Sequence, residues 1–208
     1  TVSANAANRA SDESVCDLKE GDQLTLEDLL IGLLLQSGND NAVAIAEHIG
    51  GSVEDFVEMM NQEAARLMAT NTHFVSPHGL QDENHYTTAY DLYLIFNEAI
   101  KQEKFMEIIQ LDSYTPHITH ADGTQAEAKW EASNFYARGE AEKPSKATIV
   151  GGKTGTTQKA GNCLILLSKD GQEQPYISVI MGAESKDLLY EDMTTLIDEG
   201  IASAEQEE

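Results

Sequence analysis

Two short stretches of this 208-residue chain hold residue types that can do chemistry. The first is Lys153-Thr154-Gly155 with Thr156, set within Gly151-Gly152-Lys153-Thr154-Gly155-Thr156-Thr157. An ammonium sets local potential and steers protons, and a Thr hydroxyl can hold an anionic group. A Gly lets a substrate backbone lie close to a strand. The second is Ser37-Gly38-Asn39, a hydroxyl and an amide two residues apart. Either tripeptide alone is a weak signal. On its own, the second fits an ordinary helix-helix turn, where Ser, Gly and Asn serve as caps.

The elements around them are readable from spacing. Thr25 looks like an N-cap with Asp28 three residues on, a near capping box. Leu26, Leu29, Leu30, Leu33 and Leu34 then repeat at helical spacing as one apolar face. That helix ends at Gln36. Another begins at once, capped by Asp40 or Asn41, with Ala42, Val43, Ile45, Ala46 and Ile49 inside. Ser37 and Asn39 thus occupy a loop clamped between two core helices, a rigid place for polar side chains. Ser52 with Asp55, and Thr88 with Asp91, cap two further helices. Phe56, Met59, Met60, Ala64 and Leu67 form the core stripe of the first.

A short helix is expected near Phe105–Leu111, with an extended piece at 113–115. Residues 120–150 read as a polar connector. Beyond the Lys-Thr-Gly stretch, strands Cys163–Ser168 and Tyr176–Met181 form a hairpin through Asp170-Gly171. A last helix is expected over 187–201, with Leu188, Leu189, Met193, Leu196 and Ile197 facing in. The expected fold class is α+β: a helical lobe (24–110), then an antiparallel sheet with a packed C-terminal helix (111–203). All of it forms one domain, followed by a frayed tail at 204–208.

The formal charge of -23, from 36 acidic and 13 basic residues, comes with no basic cluster. That argues against nucleic acid as a partner. No apolar run approaches the roughly 20 residues of a membrane-spanning helix. The opening residues are polar and show no leader, which leaves the compartment open. Two cysteines do not make a disulfide scaffold. Cys163 reads as a buried thiol in a strand, and a Cys16–Cys163 bridge is the minor alternative.

With both motifs placed, the chain resembles the low-molecular-mass penicillin-binding proteins, specifically the D-alanyl-D-alanine carboxypeptidases. Their superfamily signature is Ser-x-x-Lys, then Ser-x-Asn, then Lys-Thr-Gly. Ser37-Gly38-Asn39 matches the second element and Lys153-Thr154-Gly155 the third. The likeness extends to residues 33–44, Asn71-Thr72-His73-Phe74, His78-Gly79-Leu80 and residues 159–164. It runs over about 1–201 and is weakest at 112–148.

The resemblance implies a transpeptidase-like fold and a serine-type carboxypeptidase acting on the D-Ala-D-Ala end of peptidoglycan stem peptides through an acyl-enzyme. Ser37 would relay protons to the leaving amine, and Asn39 would hydrogen-bond the substrate amide. Lys153 would supply positive potential, and Thr154 would bind the terminal carboxylate. Backbone at Gly155 and Thr156 would pair with the substrate, with the Thr156 N–H in the oxyanion hole. No cofactor or metal is implied. β-Lactams would bind if the full site is present. The cell envelope or the exterior of a bacterium is the implied location.

Two features depart from the family pattern. No Ser in the chain has Lys three residues later; Ser3, Ser11 and Ser14 are followed at that offset by Ala6, Ser14 and Asp17. The nucleophile is therefore expected in an N-terminal segment missing from this chain, and residues 1–208 alone are expected to be inactive. Second, family members often carry an Arg near the start of the last helix, where Leu189 stands here. Three alternatives remain. A class A β-lactamase needs a Glu-x-x-x-Asn setting, and Glu131 to Asn134 has the wrong spacing. A non-catalytic module binding peptidoglycan or a partner fits the missing nucleophile. His117, His120 and Asp122 form a weak metal motif without further ligands.

Overall fold

A computed structural model describes residues 1–207, and Glu208, the end of the expected tail, lies outside the described residues. The chain folds into two compact units. The first comprises residues 1–66, 70–86 and 111–132, and the second residues 67–69, 87–110 and 133–208.

The first unit contains α1 (Ala4–Ala7), α2 (Leu26–Leu35), α3 (Asn39–Gly50), α4 (Val53–Arg66) and a two-stranded ribbon of β1 (Ser113–Tyr114) and β2 (Trp130–Glu131). Thr25 and Asp28 close a capping box at the start of α2, as their spacing predicts. Ser52 likewise accepts the Asp55 N–H at 3.0 Å. The cap of α3 is different. Gly38 occupies it without a side-chain bond, and Asp40 and Asn41 lie inside the first turn, buried. Their side chains are used inward, as described below.

Buried polar groups also rotate the expected helix faces. In α2 the buried set is Asp28, Leu29, Ile31, Gly32 and Leu35, while Leu26 is exposed. Asp28 is drawn in because its carboxylate accepts the Tyr114 hydroxyl at 2.8 Å as well as the cap N–H. Ile49 and Met59, expected inside, are exposed.

The second unit contains α5 (Ala89–Ala99), α6 (Glu103–Ile108), α7 (Phe135–Arg138), α8 (Lys186–Glu207) and the strands β3 (Ala147–Thr157), β4 (Gly161–Asp170) and β5 (Pro175–Ala183). The strands form one antiparallel sheet in the order β3-β4-β5. Thr88 caps α5 by accepting the Asp91 N–H. Alternation along β4 sends Leu164 and Leu166 into a cluster with Leu189, Met193 and Ile197 of α8. Ile165 and Leu167 pack with Phe96 and Ile109 on the other face. The sheet is thus covered by α8 on one side and by α5 with the end of α6 on the other.

Leu188 and Leu196, expected to face in, are exposed; α8 points Leu189, Tyr190, Met193, Ile197 and Ile201 inward instead. The helix continues past 201 to Glu207. The polar stretch 120–150 holds β2, α7 and the start of β3, so it is more ordered than its composition suggests. Cys16 is buried, Cys163 is half-buried, and both are free thiols.

Candidate active site

Ser37, Gly38 and Asn39 form the turn between α2 and α3 in the first unit. Ser37 has φ 65°, a left-handed conformation uncommon outside Gly. That reversal lets the Gly38 N–H reach back to the Gly32 carbonyl at 3.2 Å. Gly38 has no room for a side chain. A Cβ there would lie 2.5 Å from Asn41 Oδ1 and 2.8 Å from both Asp40 Oδ1 and Cys16 Sγ.

The turn is laced to residues 13–18. The Asn39 N–H donates to the Ser14 carbonyl at 2.8 Å, and the Ser14 hydroxyl donates to the Gln36 carbonyl at 3.1 Å. Gln36 Nε2 donates to the Val15 carbonyl at 2.9 Å. Asp40, 1% exposed, accepts the N–H groups of Cys16 and Leu18. Asn39 is 7% exposed, and its Nδ2 donates to Glu13 Oε2 at 2.9 Å. Burial alone would raise the Glu13 carboxyl. Hydrogen bonds from the Ala10 N–H and Asn39, with the charges of Arg9 and His78, outweigh it and hold the group below its ordinary range. No motif or spacing in the sequence points to Glu13.

Lys153, Thr154, Gly155 and Thr156 lie together on β3 in the second unit. β3 is an outer strand of the sheet among the described residues, and its long edge offers backbone N–H and C=O groups. Two glycines set its path. A Cβ on Gly151 would stand 2.0 Å from the Ile109 carbonyl oxygen, and one on Gly152 would stand 2.0 Å from that of Ile165. A Cβ on Gly155 would meet nothing within 4 Å. The sheet register pairs Thr154 with Leu164 and Lys153 with Ile165. Strand alternation therefore places Thr154 and Thr156 on the α8 side and Lys153 on the α5 side.

Lys153 Nζ donates to the Thr154 carbonyl at 2.8 Å. Burial of the ammonium pulls its pKa down to about 8. It is mostly cationic at neutral pH, yet close enough to titration to exchange protons. The Thr154 hydroxyl lies 2.8 Å from the Ser133 hydroxyl. Thr156 Oγ1 donates to Asn162 Oδ1 at 3.3 Å, and Asn162 Nδ2 donates to the Ala183 carbonyl. No motif or spacing in the sequence points to Ser133.

A family model described as D-alanyl-D-alanine carboxypeptidase matches residues 1–185. The chain belongs to that family. D-alanyl-D-alanine carboxypeptidase DacD of Escherichia coli (strain K12) is 36% identical over 172 residues, covering 83% of this chain and 41% of the relative. DacF of Bacillus subtilis (strain 168) is 32% identical over 185 residues, covering 87% and 44%. The chain thus spans less than half the length of these relatives. The crystal structure of the Streptomyces K15 DD-transpeptidase superposes with a TM-score of 0.88 at 28% identity, covering 97% of this chain and 78% of that one. The α+β architecture read from the sequence is the fold of this carboxypeptidase family.

Leu189, His120 and Asp122 take no part in either motif. Leu189 is 2% exposed, in the apolar cluster between α8 and the sheet. His120 Nδ1 is 2.7 Å from buried Asp22 Oδ1, and Asp122 accepts from Thr124, so both serve local structure.

Proposed function

We propose that these residues supply the second and third motifs of a serine-type D-Ala-D-Ala carboxypeptidase acting on peptidoglycan stem peptides. The observation that supports this most is the Lys153-Thr154-Gly155 run on outer strand β3. An extended peptide can add to that edge, the uncrowded Gly155 leaves it space, and the Thr154 hydroxyl meets its terminal carboxylate. In the acylation step a Ser oxygen bonds to the acyl carbon and the C–N bond to the terminal D-Ala breaks. Ser37 passes a proton to the leaving amine, Asn39 holds the substrate amide, and Lys153 keeps the local potential positive. The Thr156 N–H steadies the oxyanion, and water then releases the acyl group.

No Ser of these 208 residues has Lys three positions on. Residues 1–208 are therefore proposed to be inactive alone, the nucleophile coming from an additional N-terminal segment. β-Lactams would acylate that nucleophile. Because peptidoglycan lies outside the cytoplasmic membrane, an extracytoplasmic location accompanies the reading. A second reading, a non-catalytic peptidoglycan- or partner-binding module, is favoured by the same missing pattern and by the buried Leu189.

Labelling with a fluorescent penicillin separates the two. The test compares residues 1–208 with the full-length gene product. Labelling of the full-length product only is expected for the carboxypeptidase. No labelling of either supports the binding module. Labelling of residues 1–208 alone overturns the site assignment.

A further inference from the structure

The roles above leave Ser133 without a task, yet its hydroxyl is the side-chain group hydrogen-bonded to the Thr154 hydroxyl, at 2.8 Å. Both side chains are half-buried and both belong to the second unit. We propose that Ser133 is a positioning residue that aims the Thr154 hydroxyl proton at the carboxylate of a bound peptide. The inference rests on the reading of Thr154 as the carboxylate-binding group.

Proton accounting gives the direction. A Thr hydroxyl has a single proton and free rotation about its C–O bond. If that proton goes to a carboxylate, Thr154 can only accept from Ser133. Ser133 must then be the donor, and the order is Ser133 O–H to Thr154 O–H to carboxylate. Each bond in such a chain polarises the next, so the terminal donor is strengthened. The rotor is also set before the ligand arrives, which lowers the cost of ordering it.

Ser133 is itself held in place by its C-terminal neighbours. Asn134 Oδ1 accepts the Tyr136 N–H at 3.0 Å and caps α7. The Phe135 N–H donates to the Tyr190 hydroxyl at 2.9 Å. The Phe135 and Tyr190 rings stack at 4.8 Å with an interplanar angle of 6°. The Tyr136 hydroxyl donates to the Tyr190 carbonyl at 3.1 Å. The segment is pinned to α8 on the same side of the sheet that carries Thr154. A Thr154 hydroxyl backed by the Ser133 hydroxyl offers a carboxylate one oriented neutral donor without adding a charge.

The test uses the purified chain and two ligands, an N-acetylated L-Lys-D-Ala-D-Ala peptide and its C-terminal amide. Binding is read by chemical-shift titration. Wild type is expected to prefer the acid. Ser133→Ala should weaken binding of the acid roughly threefold to tenfold, the worth of about one hydrogen bond, and leave the amide unchanged. Ser133→Thr should restore the preference. Independently of ligand, the Thr154 hydroxyl proton should exchange slowly and show a fixed Hβ–Hγ1 coupling in wild type, and exchange fast with an averaged coupling in Ser133→Ala. An unchanged acid preference in Ser133→Ala, or a Thr154 hydroxyl that stays fixed in that variant, overturns the inference while the reading of Thr154 stands. Equal binding of acid and amide by wild type overturns that reading, and the role of Ser133 falls with it.

Discussion

The carboxylate of Asp40 accepts the backbone N–H of Cys16 through both its oxygens, each at 3.0 Å. A third bond comes from the Leu18 N–H, also at 3.0 Å. One side chain in the first turn of α3 thus fixes the strap of residues that runs past the Ser37-Gly38-Asn39 turn. Replacing Asp40 by Ala would leave these N–H groups buried and unpaired. The expected cost is about 2–4 kcal/mol of stability. Asp40→Asn keeps one acceptor oxygen and should cost less. Urea unfolding followed by circular dichroism reads both; a loss under about 0.5 kcal/mol for Asp40→Ala would show that the strap is not held by this carboxylate.

Glu13 holds the same strap from its other end, through Asn39. Its carboxyl sits below the ordinary 4.5 in the folded protein, because hydrogen bonds from Ala10 and Asn39 and the charges of Arg9 and His78 outweigh burial. A depressed folded pKa means the contribution is fully present above the unfolded pKa. It is lost as pH falls through the folded value. Glu13→Gln should therefore be less stable than wild type at pH 7, with the gap closing below about pH 4.5. Urea midpoints of both proteins from pH 7 to pH 3 check this. A gap that stays constant with pH would mean the Glu13 charge does not matter here.

Lys153 acts with the same sign in an alkaline window. Its folded pKa of about 8 lies below the ordinary 10.5 because its ammonium is buried. Between those values the unfolded chain binds the extra proton, so this group makes stability rise with pH. Lys153→Met should lack that rise, which then remains in the difference between the wild-type and variant pH profiles. Direct titration of the Lys153 side chain by NMR should show a midpoint near 8. A midpoint at the ordinary value would remove the case for Lys153 as a proton-exchanging group at neutral pH.

Much of the fold is legible where a short-range rule dominates. The caps Thr25, Ser52 and Thr88 each have their Asp three residues on, and all three form as spacing predicts. The β4–β5 hairpin follows from two apolar runs about a Gly turn. Helix faces are less legible, because Asp28 and Asp40 are buried by partners distant in sequence. Hydropathy cannot announce that. β3 is hidden by its own composition: Gly, Thr and Lys show no alternation of apolar and polar residues. In the candidate site, motif residues are readable by resemblance. Their holders, Glu13 for Asn39 and Ser133 for Thr154, lie 26 and 21 positions away and follow no pattern.

The glycines of β3 separate structure from chemistry within five residues. Gly151 is required by packing, since a Cβ would overlap the Ile109 carbonyl oxygen at 2.0 Å. Gly151→Ala must move β3 or the end of α6, and a loss of about 1–3 kcal/mol is expected. Gly155 is under no such constraint: a Cβ there meets nothing within 4 Å, and the residue is exposed. Gly155→Ala should therefore change stability by less than about 0.5 kcal/mol. If a substrate backbone lies along this edge, the added methyl stands in its way. In a full-length product that labels with fluorescent penicillin, Gly155→Ala should slow labelling while its melting temperature stays near that of wild type. Labelling at the wild-type rate would mean that the ligand does not pass over Gly155. A large loss of stability in Gly155→Ala would instead show that the strand, and not the ligand, requires glycine at this position.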